Sequence, residues 1–157
     1  MKTRLFLGTA VAALFMLAAG CSFSTANLSS LKTSTDKEGK TASTSFKTGD
    51  TLYANAQVSN NPGTVKVKFT LVVEDVKGMT KGETLKGSEV SVDVKGDGVG
   101  QFNVNVVPAF PGGKYKLNAD MINEAGEKKD GKSVDVTVTQ SAPAAVPVDA
   151  AETDDEH

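Results

Sequence analysis

Hydrophobic and polar residues alternate along most of this chain. In Thr64–Asp75 (TVKVKFTLVVED) the residues Val65, Val67, Phe69, Leu71 and Val73 fall on one side. Lys66, Lys68, Thr70 and Glu74 fall on the other, and Val72 is the one exception. Successive side chains of a strand point to opposite faces, so this run predicts a strand with one face in a core and one in water. The pattern recurs at Leu52–Val58, Val90–Lys95, Gln101–Val106, Tyr115–Met121 and Val134–Thr139. A first strand around Asn27–Thr35 is less regular and is followed by a Glu38-Gly39 turn and a short piece, Ala42–Phe46. Turn chemistry separates the runs, as in Asn60-Asn61-Pro62-Gly63, Gly96-Asp97-Gly98, Pro111-Gly112-Gly113 and Asp130-Gly131. Seven to eight short strands with no convincing helix predict an all-β antiparallel sandwich.

The ends of the chain follow other rules. Met1-Lys2-Thr3-Arg4 is a cationic head, Leu5–Leu17 is uncharged and apolar, and Ala18, Ala19 and Gly20 are small. Charged head, apolar middle and small-residue exit predict a secretory signal over residues 1–20. The apolar run is shorter than the ~20 residues of a membrane-spanning helix. Its apolar residues fill every side, unlike the single stripe of a surface helix. At the other end, residues 141–157 combine Pro143 and Pro147 with alanines and five acidic residues. That composition cannot bury enough apolar surface to offset chain entropy and predicts a disordered, solvated tail.

Cys21 is the single cysteine, so no disulfide closes within one chain. Leu17-Ala18-Ala19-Gly20-Cys21 resembles the lipobox of bacterial lipoproteins, with Ala18 where the commonest form of that motif has Leu. The resemblance implies a diacylglycerol thioether on Cys21, cleavage before it and acylation of the new amine. Ser22 after the cysteine implies, by the same resemblance, sorting to the outer membrane of a Gram-negative host. The other reading is a conventional cleaved signal that leaves a free thiol. One fatty chain holds a protein only marginally, whereas two or three anchor it firmly. Residues 21–26 then form a lipidated cysteine and a short tether. Five extended residues span under about 18 Å, which keeps the body near the bilayer.

Residues 27–140 make the body. PGGKYKLNAD places Tyr115 two residues after a glycine, at the start of the next-to-last predicted strand. This resembles the tyrosine corner of immunoglobulin-like domains, in which the phenol bonds back to nearby backbone. FKTGDTLYANAQVSNNPGTVKVKFTLV followed by FPGGKYKLNADM also resembles small Ig-like domains of bacterial lipoproteins and cell-envelope proteins. These resemblances imply fold and setting and attach no activity.

The formal net charge of −2 becomes more negative without Lys2 and Arg4, which does not suit nucleic acid. His157 is the one histidine and the last residue, so an oriented imidazole for a Ser-His-Asp or Cys-His site is not available from the body. We therefore expect no enzyme, no cofactor and no His/Cys metal site. Gly96-Asp97-Gly98-Val99-Gly100 reads as a hairpin turn, since a strand follows it and an anion loop would open a helix. Glu74 with Asp75, and Asp93 with Asp97, could bind calcium if loops gathered them; a calcium or small-ligand lipoprotein is the alternative function. Tyr53 points outward beside Asn55 and Gln57 and offers a candidate contact surface. Lys66, Lys68 and Lys116 on outer faces read as guards against edge-to-edge sheet pairing. The expectation is a membrane-anchored envelope lipoprotein whose body binds a protein partner or serves a structural role.

Overall fold

The computed structural model describes residues 25–140. The signal segment, Cys21 and the acidic tail lie outside these residues.

Eight strands form two sheets: β1 (Asn27–Ser34), β2 (Ser45–Lys47), β3 (Thr51–Ser59), β4 (Thr64–Val76), β5 (Val90–Lys95), β6 (Gly98–Asn105), β7 (Gly113–Ile122) and β8 (Lys128–Thr139). One sheet has the order β1-β3-β6 and the other β2-β8-β7-β4-β5. All pairings are antiparallel except that of β2 with β8, which is parallel. The described residues therefore start in the smaller sheet and cross to the edge of the larger one before β3. This topology, closed on a tyrosine corner, is an immunoglobulin-like β-sandwich.

The period-two patterns produce the core as read. On β4, Val65, Val67, Phe69, Leu71 and Val73 are buried, as are Leu52, Ala54, Ala56 and Val58 on β3. Phe69 of the larger sheet stacks on Phe102 of the smaller, ring centroids 5.6 Å apart. The alanines of β3 and Gly100 of β6 let the sheets approach, since a Cβ on Gly100 would meet the Val67 side chain at 3.2 Å. The inward side thins along β5, where Val94 is buried, Val92 half-buried and Val90 exposed.

The tyrosine corner is present. Tyr115 is buried, and its hydroxyl donates to the Pro111 carbonyl at 2.6 Å. Phe110 packs edge-on against its ring at 5.6 Å. Gln140 completes the corner, its Nε2 donating to the Phe110 carbonyl at 2.7 Å. Burial raises the Tyr115 phenol above its ordinary pKa.

The lysines read as edge guards take another role. β4 and β7 are interior strands, so Lys66, Lys68 and Lys116 do not stand on a sheet edge. Their amines face carboxylates instead: Lys68 with Glu89 at 3.0 Å, Lys66 with Asp93 at 3.9 Å, and Lys116 with Glu74 at 3.2 Å and Asp135 at 3.4 Å. Alternation alone assigns a lysine to the wet face, but strand order decides what it meets there.

Candidate binding face

The outer face of the smaller sheet is built differently. Pairing sets Lys32, Asn55 and Gln101 in one row, and Ser34, Tyr53 and Asn103 in the next. Ser30, Gln57 and Val99 form the row on the other side. No acidic residue lies in these rows, and amides and hydroxyls dominate.

A turn at residues 36–41 folds over this face. Asp36 shapes it, because its carboxylate accepts the main-chain N–H of Lys40 at 2.9 Å and that of Thr41. The Lys40 and Thr41 hydrogen bonds hold the Asp36 carboxyl below its ordinary pKa. Gly39 adopts φ 74°, and a Cβ there would press on Asn55 Nδ2 at 2.9 Å. The positive φ favours glycine in the turn, and the missing side chain lets the turn lie close to Asn55. Gln101 Nε2 fastens the turn, donating to the Lys37 carbonyl and to Asn55 Oδ1, each at 2.8 Å.

The result is a groove of about 410 Å³. Asn55, Gln57 and Gln101 form its floor, Lys37 and Glu38 one wall, and Val99 the opposite rim. Of the expected surface, Asn55 and Gln57 line the groove, whereas half-buried Tyr53 sits one row beyond it on the same face. The 36–41 turn as one wall was missed in the sequence. Its one visible signal was Asp36 ahead of Glu38-Gly39, an acceptor placed to cap a tight turn.

This groove can donate and accept neutral hydrogen bonds and offers two ammonium groups, Lys32 and Lys37, against one carboxylate, Glu38. Three of the four acidic residues considered for calcium are engaged separately. Glu74 lies between Lys81 at 2.9 Å and Lys116, and these lysines, Lys81 first, lower its pKa. Asp93 faces Lys66, and Asp97 accepts the Asn61 N–H at 2.8 Å as part of the predicted hairpin turn. Among the described residues no three His, Cys, Asp or Glu side chains converge.

No protein-family model and no curated protein matches the chain. Among solved structures it is similar to an immunoglobulin-like protein of Pseudomonas aeruginosa, at 12% identity and TM-score 0.44, covering 73% of this chain and 96% of that one. It is also similar to the CARDB domain of a Pyrococcus furiosus protein in complex with di-metal ions, at 18% identity and TM-score 0.38, covering 73% and 85%. A third likeness is to a β-glucosidase from Listeria innocua in complex with gluconolactone, at 12% identity, TM-score 0.41 and 69% of this chain. The chain spans 16% of that β-glucosidase, and 17% of a Bacteroides fragilis chain described as a β-galactosidase. These likenesses are distant; strand order and the tyrosine corner carry the fold assignment.

Proposed function

We propose that this chain is an envelope lipoprotein, anchored through acylated Cys21 at the outer membrane, whose immunoglobulin-like body acts by binding rather than catalysis. The observation that carries the binding role is the groove on the smaller sheet. Its uncharged amide floor, with Lys32 and Lys37 beside it, suits recognition through hydrogen bonds. The anchor rests on the Lys2/Arg4 head, the apolar run and Ala-Gly-Cys.

The two parts fit mechanically. Thr25 Oγ1 donates to the Asn60 carbonyl at 3.0 Å, and Ala26 is buried, so the body begins there. Only Ser22, Phe23 and Ser24 separate it from Cys21, a reach of at most about 14 Å. Such a tether confines the body to the membrane surface and raises its effective concentration toward a partner on that surface. The partner in this reading is another envelope protein.

Whole-chain mass spectrometry tests the anchor: the expected mass lacks residues 1–20 and carries acyl chains on Cys21. A mass with the leader attached, or with a free thiol, rejects it. Recovery from membranes tests the role, comparing wild type with Cys21→Ser at equal abundance. Partner recovery should fall in the variant; equal recovery counts against confinement as its purpose.

A further inference from the structure

A sandwich open at its sides has edge strands, and unpaired main-chain groups on an edge are a template for another strand. Three of the four edges here are blunted. β1 has a register shift between Leu28 and Ser30, and the 41–43 stretch folds along it, with Thr35 N–H donating to Thr41 and Ser43 N–H to Thr33. β2 is three residues long, and β5 carries Asp93 and Lys95 within six. β6 is the exception. It runs eight residues, GVGQFNVN, with no charge, no proline and no register shift against β3.

Its unpaired groups can be assigned. Val106 N–H donates to the Asp50 carbonyl at 2.9 Å, and the Val106 carbonyl accepts from Gly49 at 2.8 Å. Antiparallel pairing alternates, so Val104, Phe102 and Gly100 also turn their main chain toward β3. Val99, Gln101 and Asn103 then present N–H and C=O to the free side. Among the described residues no loop hydrogen bond reaches these three, whereas the Asn105 carbonyl is taken by Val107. Val99 is 51% exposed, and Val107, just past the strand, is 50% exposed.

We propose that β6 is a self-association edge that pairs antiparallel with β6 of a second copy, on a two-fold axis at Gln101. That axis sets Gln101 against its own copy and Val99 against Asn103 of the partner. The pairing is isologous, as a two-fold interface requires. The occupant is a second copy because the strand's own residues carry no charge, so Gln101 meets Gln101 and Val99 meets Asn103 without like-charge repulsion. Each free N–H and C=O on one copy finds its counterpart on the other, and the Lys37 and Glu38 turns, tied to Gln101, flank the axis with both signs of charge. The result is a continuous six-stranded sheet, β1-β3-β6 and its mirror in order. An edge contact of this size lies below the ~1,200 Å² of a stable interface, so the dimer is weak and concentration-dependent.

The test uses the full chain recovered from membranes in mild detergent. Under mild oxidation Gln101→Cys should give a disulfide-linked dimer well above the background of wild type, whose lone thiol position is Cys21. Ser91→Cys on the guarded β5 edge should not. The double variant Val99→Lys/Asn103→Lys sets like charges across the axis at exposed positions. It should raise the dimer dissociation constant at least tenfold by sedimentation velocity, with an unchanged melting curve. Equal trapping at 91 and 101, no concentration-dependent dimer, or cross-linking of position 101 to a different polypeptide overturns the proposal.

Discussion

The Tyr115 hydroxyl donates to the Pro111 carbonyl four residues upstream, at 2.6 Å, and so pins the loop that delivers the chain to β7. Removing the hydroxyl leaves a half-buried carbonyl without its donor while keeping the ring against Phe110. Tyr115→Phe should therefore lower stability by about 1–2 kcal/mol, read as a lower urea midpoint with unchanged slope. The phenol's folded pKa is raised by burial, so its contribution is complete below pH 10.0, the ordinary value, and declines as pH rises toward the folded pKa. Wild type should lose stability on that alkaline limb, and Tyr115→Phe should lose less.

Gly113 opens β7 at φ 147°, where a Cβ would overlap the Asp75 carbonyl and lie 2.8 Å from Val76 Cγ2. Neither neighbour can yield, because β4 and β7 are paired there. Gly113→Ala should cost on the order of 3 kcal/mol or more. Gly78→Ala is the matched control: φ is 81° with open space around it, so only the backbone penalty of about 1–2 kcal/mol applies. Chemical denaturation of both gives the comparison, and equal losses would refute the steric account.

Asn61 is buried and holds the β3–β4 turn to the β5–β6 turn. Its Nδ2 donates to the carbonyls of Val94 at 3.1 Å and Gly96 at 2.8 Å, and its Oδ1 accepts from Gly63. Asn61→Asp keeps the acceptor but points a carboxylate at two carbonyls. It should cost about 2–4 kcal/mol and more at pH 7 than at pH 3, where the carboxyl regains a proton to donate. Thermal melts at the two pH values, each referenced to wild type, separate this from loss of a turn former alone.

The strands were legible because each is a local pattern. The inward residues of β3 and β4 follow from period two, and the hairpin at Gly96-Asp97-Gly98 follows from its glycines. Tyr115 was legible because its corner spans four residues. The contacts that escaped are nonlocal. Asn61 looked like any turn residue, although its amide reaches carbonyls 33 and 35 positions away. The Leu28 N–H bonds to the Asp130 carboxylate 102 residues on, and nothing near either residue announces it. Lys116 was placed outward correctly, but only strand order reveals Glu74 and Asp135 on its flanks. The groove has the same origin: alternation sent Asn55 and Gln57 outward, and the 36–41 turn that walls them arrives from another part of the chain.

Glu74 stands between Lys81 and Lys116, which depress its pKa from 4.5. A carboxylate with a lowered folded pKa contributes stability above its unfolded value and loses it as pH falls through the folded one. Wild type should therefore lose melting temperature below about pH 4.5, and Glu74→Gln should flatten part of that limb. The pair is exposed enough that added salt should shrink the difference between the two curves. Parallel acid limbs for wild type and variant would remove Glu74 from the account.

Gln101 ties the 36–41 turn to the sheet through the Lys37 carbonyl and Asn55 Oδ1. Asp36 shapes the turn from within, so the turn should survive loss of the tie but detach more often. Gln101→Ala should speed amide exchange at Gly39 and Lys40 roughly tenfold, the equivalent of ~1.4 kcal/mol, with little change in global melting. Asp36→Ala should instead disorder the turn outright, with exchange near the unprotected rate at Lys40 and Thr41. Unchanged exchange in Gln101→Ala would mean that the groove wall stands on Asp36 alone, and that the amide row of the floor does not hold it.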